Sequence, residues 1–225
     1  MKGLFVTGTG TDIGKTYVSA AIARYLRKKD LNLAYYKAAV SGAKSVKTSD
    51  AGFVHDSADL LQDENTLLSY LYQRPLSPHL AARLENRFAS MEKIKEAFGS
   101  LKQCYDYVLS EGAGGIICPV VYEDNKKIMY EDIIKELNLP CVVVADAGLG
   151  TINHTVLTVF YLKEHGIKVQ GVILNNFEPG NIMHEDNLVM VEKITHNKVI
   201  AVVYKNSMEL VMRYKNMEDY FDECK

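Results

Sequence analysis

The segment Leu4-Phe5-Val6-Thr7 followed by Gly8-Thr9-Gly10-Thr11-Asp12-Ile13-Gly14-Lys15-Thr16 constrains the chain most. Four apolar or β-branched residues run into a glycine-rich turn. The turn then opens a helix-competent stretch, Tyr17-Val18-Ser19-Ala20-Ala21-Ile22-Ala23. Strand, loop and helix in that order make a phosphate cradle. Glycines let backbone N–H groups close on phosphate oxygens, and the helix N-terminus favours the anion. A lysine meets the β/γ charge, and a hydroxyl sits on Mg²⁺. The strict G-x-x-x-x-G-K-[ST] pattern puts its first glycine at position 9. Here Thr9 stands there and Gly8 lies one residue further away, so the loop is a longer variant.

The rest of the chain gives this unit an α/β context. Continuous apolar runs predict strands at Leu4–Thr7, Leu33–Lys37, Tyr107–Ser110, Cys141–Ala145, Val169–Leu174 and Val199–Val203. Helical spacing falls between them, at Lys15–Lys28, Met91–Lys102, Tyr130–Leu137, Ile152–His165 and His184–Ile194, with Ser45–Leu68 also read as helical. The tail after Ser207 is expected to form one or two short helices. Alternation of this kind predicts a single P-loop NTPase-like domain over residues 1–225, a mostly parallel sheet with helices on both faces. No repeat or Pro/Gly/Ser linker divides it.

Composition excludes several classes. With 48% hydrophobic and 24% charged residues and a formal charge of -2, the chain has neither a disordered composition nor a nucleic-acid-binding balance. Cys104, Cys118, Cys141 and Cys224 form no C-x-x-C pair, so reduced thiols and a cytoplasmic location are expected. No leader-like start and no membrane-length apolar run occurs.

Other candidates fall at the carboxyl edge of a parallel sheet, where the phosphate loop also lies. Glu111-Gly112-Ala113-Gly114-Gly115 follows the strand ending at Ser110, placing Glu111 to meet Mg²⁺ or a substrate. Lys37, read as the last residue of its strand, is followed by Ala38-Ala39-Val40-Ser41-Gly42. It offers a second cation for charge developing on a transferring phosphoryl group. A carboxylate among Asp50, Asp56 and Asp59 could complete an oxygen site for Mg²⁺, and the residues alone do not separate the three.

Taken together, these stretches resemble the dethiobiotin synthetase family, whose phosphate loop is longer in the same way. Further matching segments are Tyr36-Lys37 with Ser41-Gly42, Ser49-Asp50-Ala51, Ser77-Pro78-His79-Leu80-Ala81-Ala82, Gly148 to His154, and Leu174-Asn175-Asn176. The resemblance implies an ATP- and Mg²⁺-dependent reaction in which 7,8-diaminononanoate (diaminopelargonate) and CO₂ give dethiobiotin, ADP and phosphate. One amine takes up CO₂ as a carbamate, the γ-phosphoryl group activates it, and the second amine closes a cyclic urea.

By similarity, Lys15, Lys37, Thr11 and Ser41 act on the reacting oxygens, and Thr16, Asp50 and Glu111 hold the metal. The nucleotide lies along Gly10, Thr11, Asp12, Ile13, Gly14, Lys15, Thr16 and Tyr17, with Gly112, Ala113 and Gly114. Asn175 reads adenine, with Asn176 beside it. Lys37 and Ser41 also face the substrate, whose carboxylate is held by Gly150, Thr151 and Asn153 of a second subunit, so a homodimer is expected.

Two departures are visible: Ala38 stands where many members carry proline, and Val202 to Ser207 contains no proline. Other P-loop ATP-dependent ligases and nucleotide-switch ATPases are the alternatives. The former usually carry a glutaminase domain for which 225 residues leave no room, and the latter a second lysine early in the loop, absent from Gly8-Thr9-Gly10-Thr11.

Overall fold

The computed structural model describes residues 1–224. β1 (Lys2–Gly8) enters the phosphate loop and α1 (Lys15–Arg27). β2 (Leu33–Ser41), α2 (Asp50–Ser57), a 3-10 turn at Glu64–Thr66 and β3 (Leu68–Tyr72) follow. α3 (Pro78–Leu84) and α4 (Met91–Leu101) lead to β4 (Tyr107–Glu111), then to a hairpin of β5 (Pro119–Glu123) and β6 (Lys126–Met129). Next come α5 (Tyr130–Leu137), β7 (Cys141–Asp146), α6 (Thr151–Glu164), β8 (Val169–Phe177), α7 (Ile182–Thr195) and β9 (Val199–Tyr204). The tail carries β10 (Leu210–Met212), a 3-10 turn at Met217–Tyr220 and β11 (Asp222–Glu223).

Nine strands form one sheet in the order β10-β9-β8-β7-β1-β4-β2-β3, with β11 pairing the start of β1. Pairing is parallel from β3 across to β9, and antiparallel only for β10 and β11. Because successive side chains point to opposite faces, an apolar run feeds two cores at once. Leu4 and Val6 join one core and Phe5 the other; Val142 and Val144 part from Cys141, Val143 and Ala145 in the same way. α1 lays Val18, Ile22 and Leu26, spaced by one helical turn, into the first core, which α2 shares. Residues of α4 to α7 fill the second.

The predicted strands are all present, and β2 runs four residues past Lys37. That lysine is therefore a mid-strand residue rather than a strand end. The helical reading of Ser45–Leu68 is corrected. Ser49 caps α2 by accepting from the Gly52 N–H, and Asp59 takes the left-handed conformation at φ 47°, stopping the helix so that β3 can follow. The expected tail helices are replaced by two short strands and one 3-10 turn, whose Met217, Tyr220 and Phe221 pack into the α1 core. Among the described residues no helix is long and apolar enough to cross a membrane.

Candidate functional site

The carboxyl ends of β1, β2 and β4 and the N-termini of α1 and α2 enclose a cleft of about 660 Å³, a volume in the range of small-molecule sites. Gly14 caps α1 at φ 87°. The next residue, Lys15, is 8% exposed and donates from Nζ to the Gly10 carbonyl at 2.7 Å, so its ammonium curls over the loop. Burial, with Lys37 adding to it, lowers the Lys15 pKa against the opposing pull of Glu111 and Asp50.

Glu111, the last residue of β4, is fully buried. Its Oε1 accepts from Thr16 Oγ1 at 2.8 Å and from Lys37 Nζ at 2.8 Å. Lys37 also donates to Asp50 Oδ2 at 2.6 Å. Register explains the first pairing: Lys37 on β2 lies directly opposite Glu111 on β4. Ser49, by capping α2, presents Asp50 from the open side. Burial is the largest influence on Lys37 and pulls its pKa down, but the two carboxylates outweigh it and the net shift is upward, so the ammonium stays charged. Burial likewise works against the Asp50 carboxylate, and Lys37 overcomes it, holding Asp50 below the ordinary carboxylate range.

The donor set fits Mg²⁺. A hydroxyl and two carboxylates lie together in the cleft, with Glu111 Oε1 accepting from both Thr16 and Lys37 and Asp50 Oδ2 accepting from Lys37, and this is the kind of oxygen set that Mg²⁺ takes together with water and phosphate oxygens. Among the described residues no cluster of three or more His, Cys, Asp or Glu side chains could hold a metal by itself.

Thr11, Asp12 and Tyr17 line the same cleft, as do Ser41, Ala113 and Gly114. Ser41 Oγ donates to the Leu76 carbonyl at 2.6 Å. Gly112 packs against the Phe5 ring, and a Cβ at Gly115 would meet the Gly8 carbonyl at 3.6 Å, so the second glycine run lies on the phosphate loop. Asn175, near the end of β8, donates from Nδ2 to the Ile13 carbonyl at 3.1 Å, while its Oδ1 is buried with no partner. Asn176 turns away and donates to Asp146 Oδ2 at 2.7 Å. Gly150 caps α6 at φ 88°, with Thr151 buried and Asn153 exposed; these three do not line the cleft.

Tyr35 and Gln62 escape the sequence reading. The Tyr35 hydroxyl donates to Glu111 Oε2 at 2.9 Å, and Gln62 bonds the Tyr35 backbone. Burial, then Glu111, pushes the Tyr35 pKa well above the phenol range, so it remains a donor. The available signal was its spacing: two residues before Lys37 on a strand means the same face.

A family model described as an AAA domain matches residues 2–208. The protein from Brachyspira hyodysenteriae named ATP-dependent dethiobiotin synthetase BioD is 49% identical over 98% of this chain and 99% of its own length. A protein of the same name from Clostridium botulinum strain Okra is 50% identical over 99% of each chain. Among solved structures, the MinC:MinD cell division protein complex of Aquifex aeolicus matches with a TM-score of 0.58 at 14% identity, covering 98% of this chain and 85% of that one. That likeness is one of fold.

Proposed function

The chain belongs to the ATP-dependent dethiobiotin synthetases, and on that premise we propose that the cleft carries out MgATP-driven ring closure of diaminopelargonate with CO₂ to dethiobiotin. In this reading one amine attacks CO₂, forming a C–N bond and losing a proton. A carbamate oxygen then attacks the γ-phosphorus, and the bond to the bridging oxygen breaks as ADP leaves with the electron pair. The second amine attacks the carbamoyl carbon, expels phosphate, loses a proton to the phosphate or solvent, and closes the urea.

Each step moves negative charge, and the residues of the cleft are arranged to meet it. The carrying observation is the Lys37 ammonium, held at 2.6 and 2.8 Å by Asp50 and Glu111 beside Thr16. Both carboxylates keep it protonated and aimed at the cleft, where it stabilises the carbamate and phosphoryl oxygens. Lys15 leaves the Gly10 carbonyl to meet the β- and γ-phosphates, while Thr11 and Ser41 donate hydroxyl hydrogen bonds to the reacting oxygens. Thr16, Asp50 and Glu111 would hold Mg²⁺, which when bound would neutralise phosphate charge. The orphaned Asn175 Oδ1 suits the amino group of adenine, an acceptor in a buried position that otherwise goes unsatisfied; Asn176, bonded to Asp146, has the lesser part.

The decisive experiment is incubation of the pure protein with diaminopelargonate, bicarbonate and MgATP, with dethiobiotin followed by mass spectrometry. Absence of product from protein that binds nucleotide normally overturns the assignment.

A homodimer supplies the other end of the substrate site in this proposal. The N-terminus of α6 at Gly150 and Thr151, where the helix dipole favours an anion, and the exposed amide of Asn153 would hold the substrate carboxylate of the partner's cleft. Leu157 and Phe160 lie on the same face of α6 as Asn153 and are 61% and 50% exposed, and Leu149, just before the helix, is 93% exposed; together they are apolar surface suited to a second copy. Leu157→Glu is expected to yield a monomer by sedimentation and raise the KM for diaminopelargonate at least about tenfold, roughly the 1.4 kcal/mol of a lost anchoring contact. A Leu157→Glu monomer with parental KM would remove the shared site. The four free cysteines, none in a disulfide, support a reducing cytoplasmic location.

A further inference from the structure

We propose that Tyr35 is a positioning residue for the metal-binding carboxylate: pinned by Gln62, its hydroxyl keeps Glu111 turned toward Thr16 and Lys37 and so sets the affinity of the cleft for its divalent cation. The proposal rests on the reading of Glu111 as a metal ligand.

The geometry starts from strand periodicity. Tyr35 and Lys37 project from the same face of β2, and register places Lys37 opposite Glu111 and Tyr35 opposite Leu109. The phenol of Tyr35 therefore rises along the sheet toward the Glu111 carboxylate and ends 2.9 Å from Oε2. Both residues are 0% exposed, so no bulk water competes for that oxygen. The carboxylate is thus satisfied at both ends: Thr16 and Lys37 on Oε1, Tyr35 on Oε2. Removing the phenolic hydroxyl leaves Oε2 buried without a donor. The group then turns to recover one, and Oε1 leaves its place beside Thr16 and Lys37.

Tyr35 is itself fixed by an unusual rung. The β2–β3 ladder begins at Lys37 opposite Leu68, so the outer edge of Tyr35 lies beyond the last paired residue of β3. Gln62 fills the gap. Its Oε1 accepts from the Tyr35 N–H at 2.7 Å, and its Nε2 donates to the Tyr35 carbonyl at 2.9 Å and to Thr66 Oγ1 at 3.0 Å. A primary amide carries the donor and acceptor that a strand backbone would supply, and at 4% exposure it is shielded from solvent. An unbroken line of hydrogen bonds thus runs from the segment before β3 through Tyr35 to Glu111. Outer partners of this kind tune metal affinity without touching the metal.

The test uses Mn²⁺ as probe, with free ion counted by electron paramagnetic resonance in the presence of ADP. Tyr35→Phe keeps ring volume and is expected to weaken Mn²⁺ binding about tenfold or more, with ADP binding in EDTA unchanged. In turnover its defect appears as a raised Mg²⁺ requirement, with kcat recovering at high Mg²⁺, a rescue that a mere packing defect would not give. Glu111→Ala serves as reference and loses more. Parental Mn²⁺ affinity in Tyr35→Phe, with Glu111→Ala impaired, overturns the positioning role and leaves Glu111 as a ligand. Parental affinity in Glu111→Ala overturns the ligand reading and the proposal with it. Should Tyr35→Phe fail to fold, Gln62→Met decides: folded protein with a smaller loss of Mn²⁺ affinity supports the line of hydrogen bonds, and folded protein with none overturns it.

Discussion

Lys37→Ala is expected to lower kcat for ring closure by about 10²–10³, the cost of removing one fixed charge-stabilising donor from a reacting centre, while ADP affinity changes little. The separation follows from geometry. Lys15 belongs to the phosphate loop and bonds the Gly10 carbonyl, whereas Lys37 stands across the cleft between Asp50 and Glu111. Loss of the ammonium also leaves Glu111 buried beside one fewer cation. The metal-free protein should therefore melt at lower temperature, and Mg²⁺ should recover part of that loss. Steady-state kinetics with a parallel ADP titration measures both effects. Turnover within a few-fold of the parent would remove Lys37 from the chemistry.

Gly14→Ala should have the largest effect on stability of any single methyl in the loop. A Cβ there would overlap Asn175 Nδ2, and the backbone is at φ 87°, where a side chain is strained. The strain alone costs about 1–2 kcal/mol, and Asn175 must also give up its bond to the Ile13 carbonyl. The total is expected near 3 kcal/mol, the upper end of common point substitutions. Nucleotide affinity should fall as well, because the displaced groups include the cap of α1 and the amide assigned to adenine. Gly10→Ala is the control, since a Cβ there meets nothing within 4 Å. Equal melting temperatures for the two variants would refute the overlap. A double substitution with Asn175→Ala should be less than additive, because it removes the atom that is struck.

Legibility in the sequence tracked how local each determinant is. The phosphate loop could be read outright because strand, glycines, Lys15 and Thr16 are contiguous and their physics is local. The β1, β7 and β8 strands could be read because burial on both faces leaves an uninterrupted apolar run. β3 could not: Leu68-Ser69-Tyr70-Leu71-Tyr72 is only partly buried and lies on the sheet edge, so it shows no continuous apolar run, and its first residue falls at the end of the stretch read as helical. The hairpin of β5 and β6 left a usable sign, buried Val121 and Ile128 on either side of the Asp124-Asn125 turn. The tail strands left none, since β11 exists only by pairing with β1 at the other end of the chain.

Within the cleft, Lys37 and Glu111 came from position relative to strands, and their direct pairing from register, which sequence does not reveal. Asp50 separated from Asp56 and Asp59 by resemblance, and structurally it is distinguished as the residue that Ser49 caps into reach of Lys37. Tyr35 reads as one more core aromatic until its hydroxyl is traced to Glu111.

The extension of β2 beyond Lys37 bears on when the cation acquires its place. Lys37 is laddered to β4 on one side, its own N–H bonds the Leu67 carbonyl at 2.9 Å, and the strand continues to Ser41. Its backbone is thus not a hinge that closes on arrival of a ligand. The entropy of orienting the ammonium is lost once, as the sheet forms, and each turnover begins with that orientation already in place.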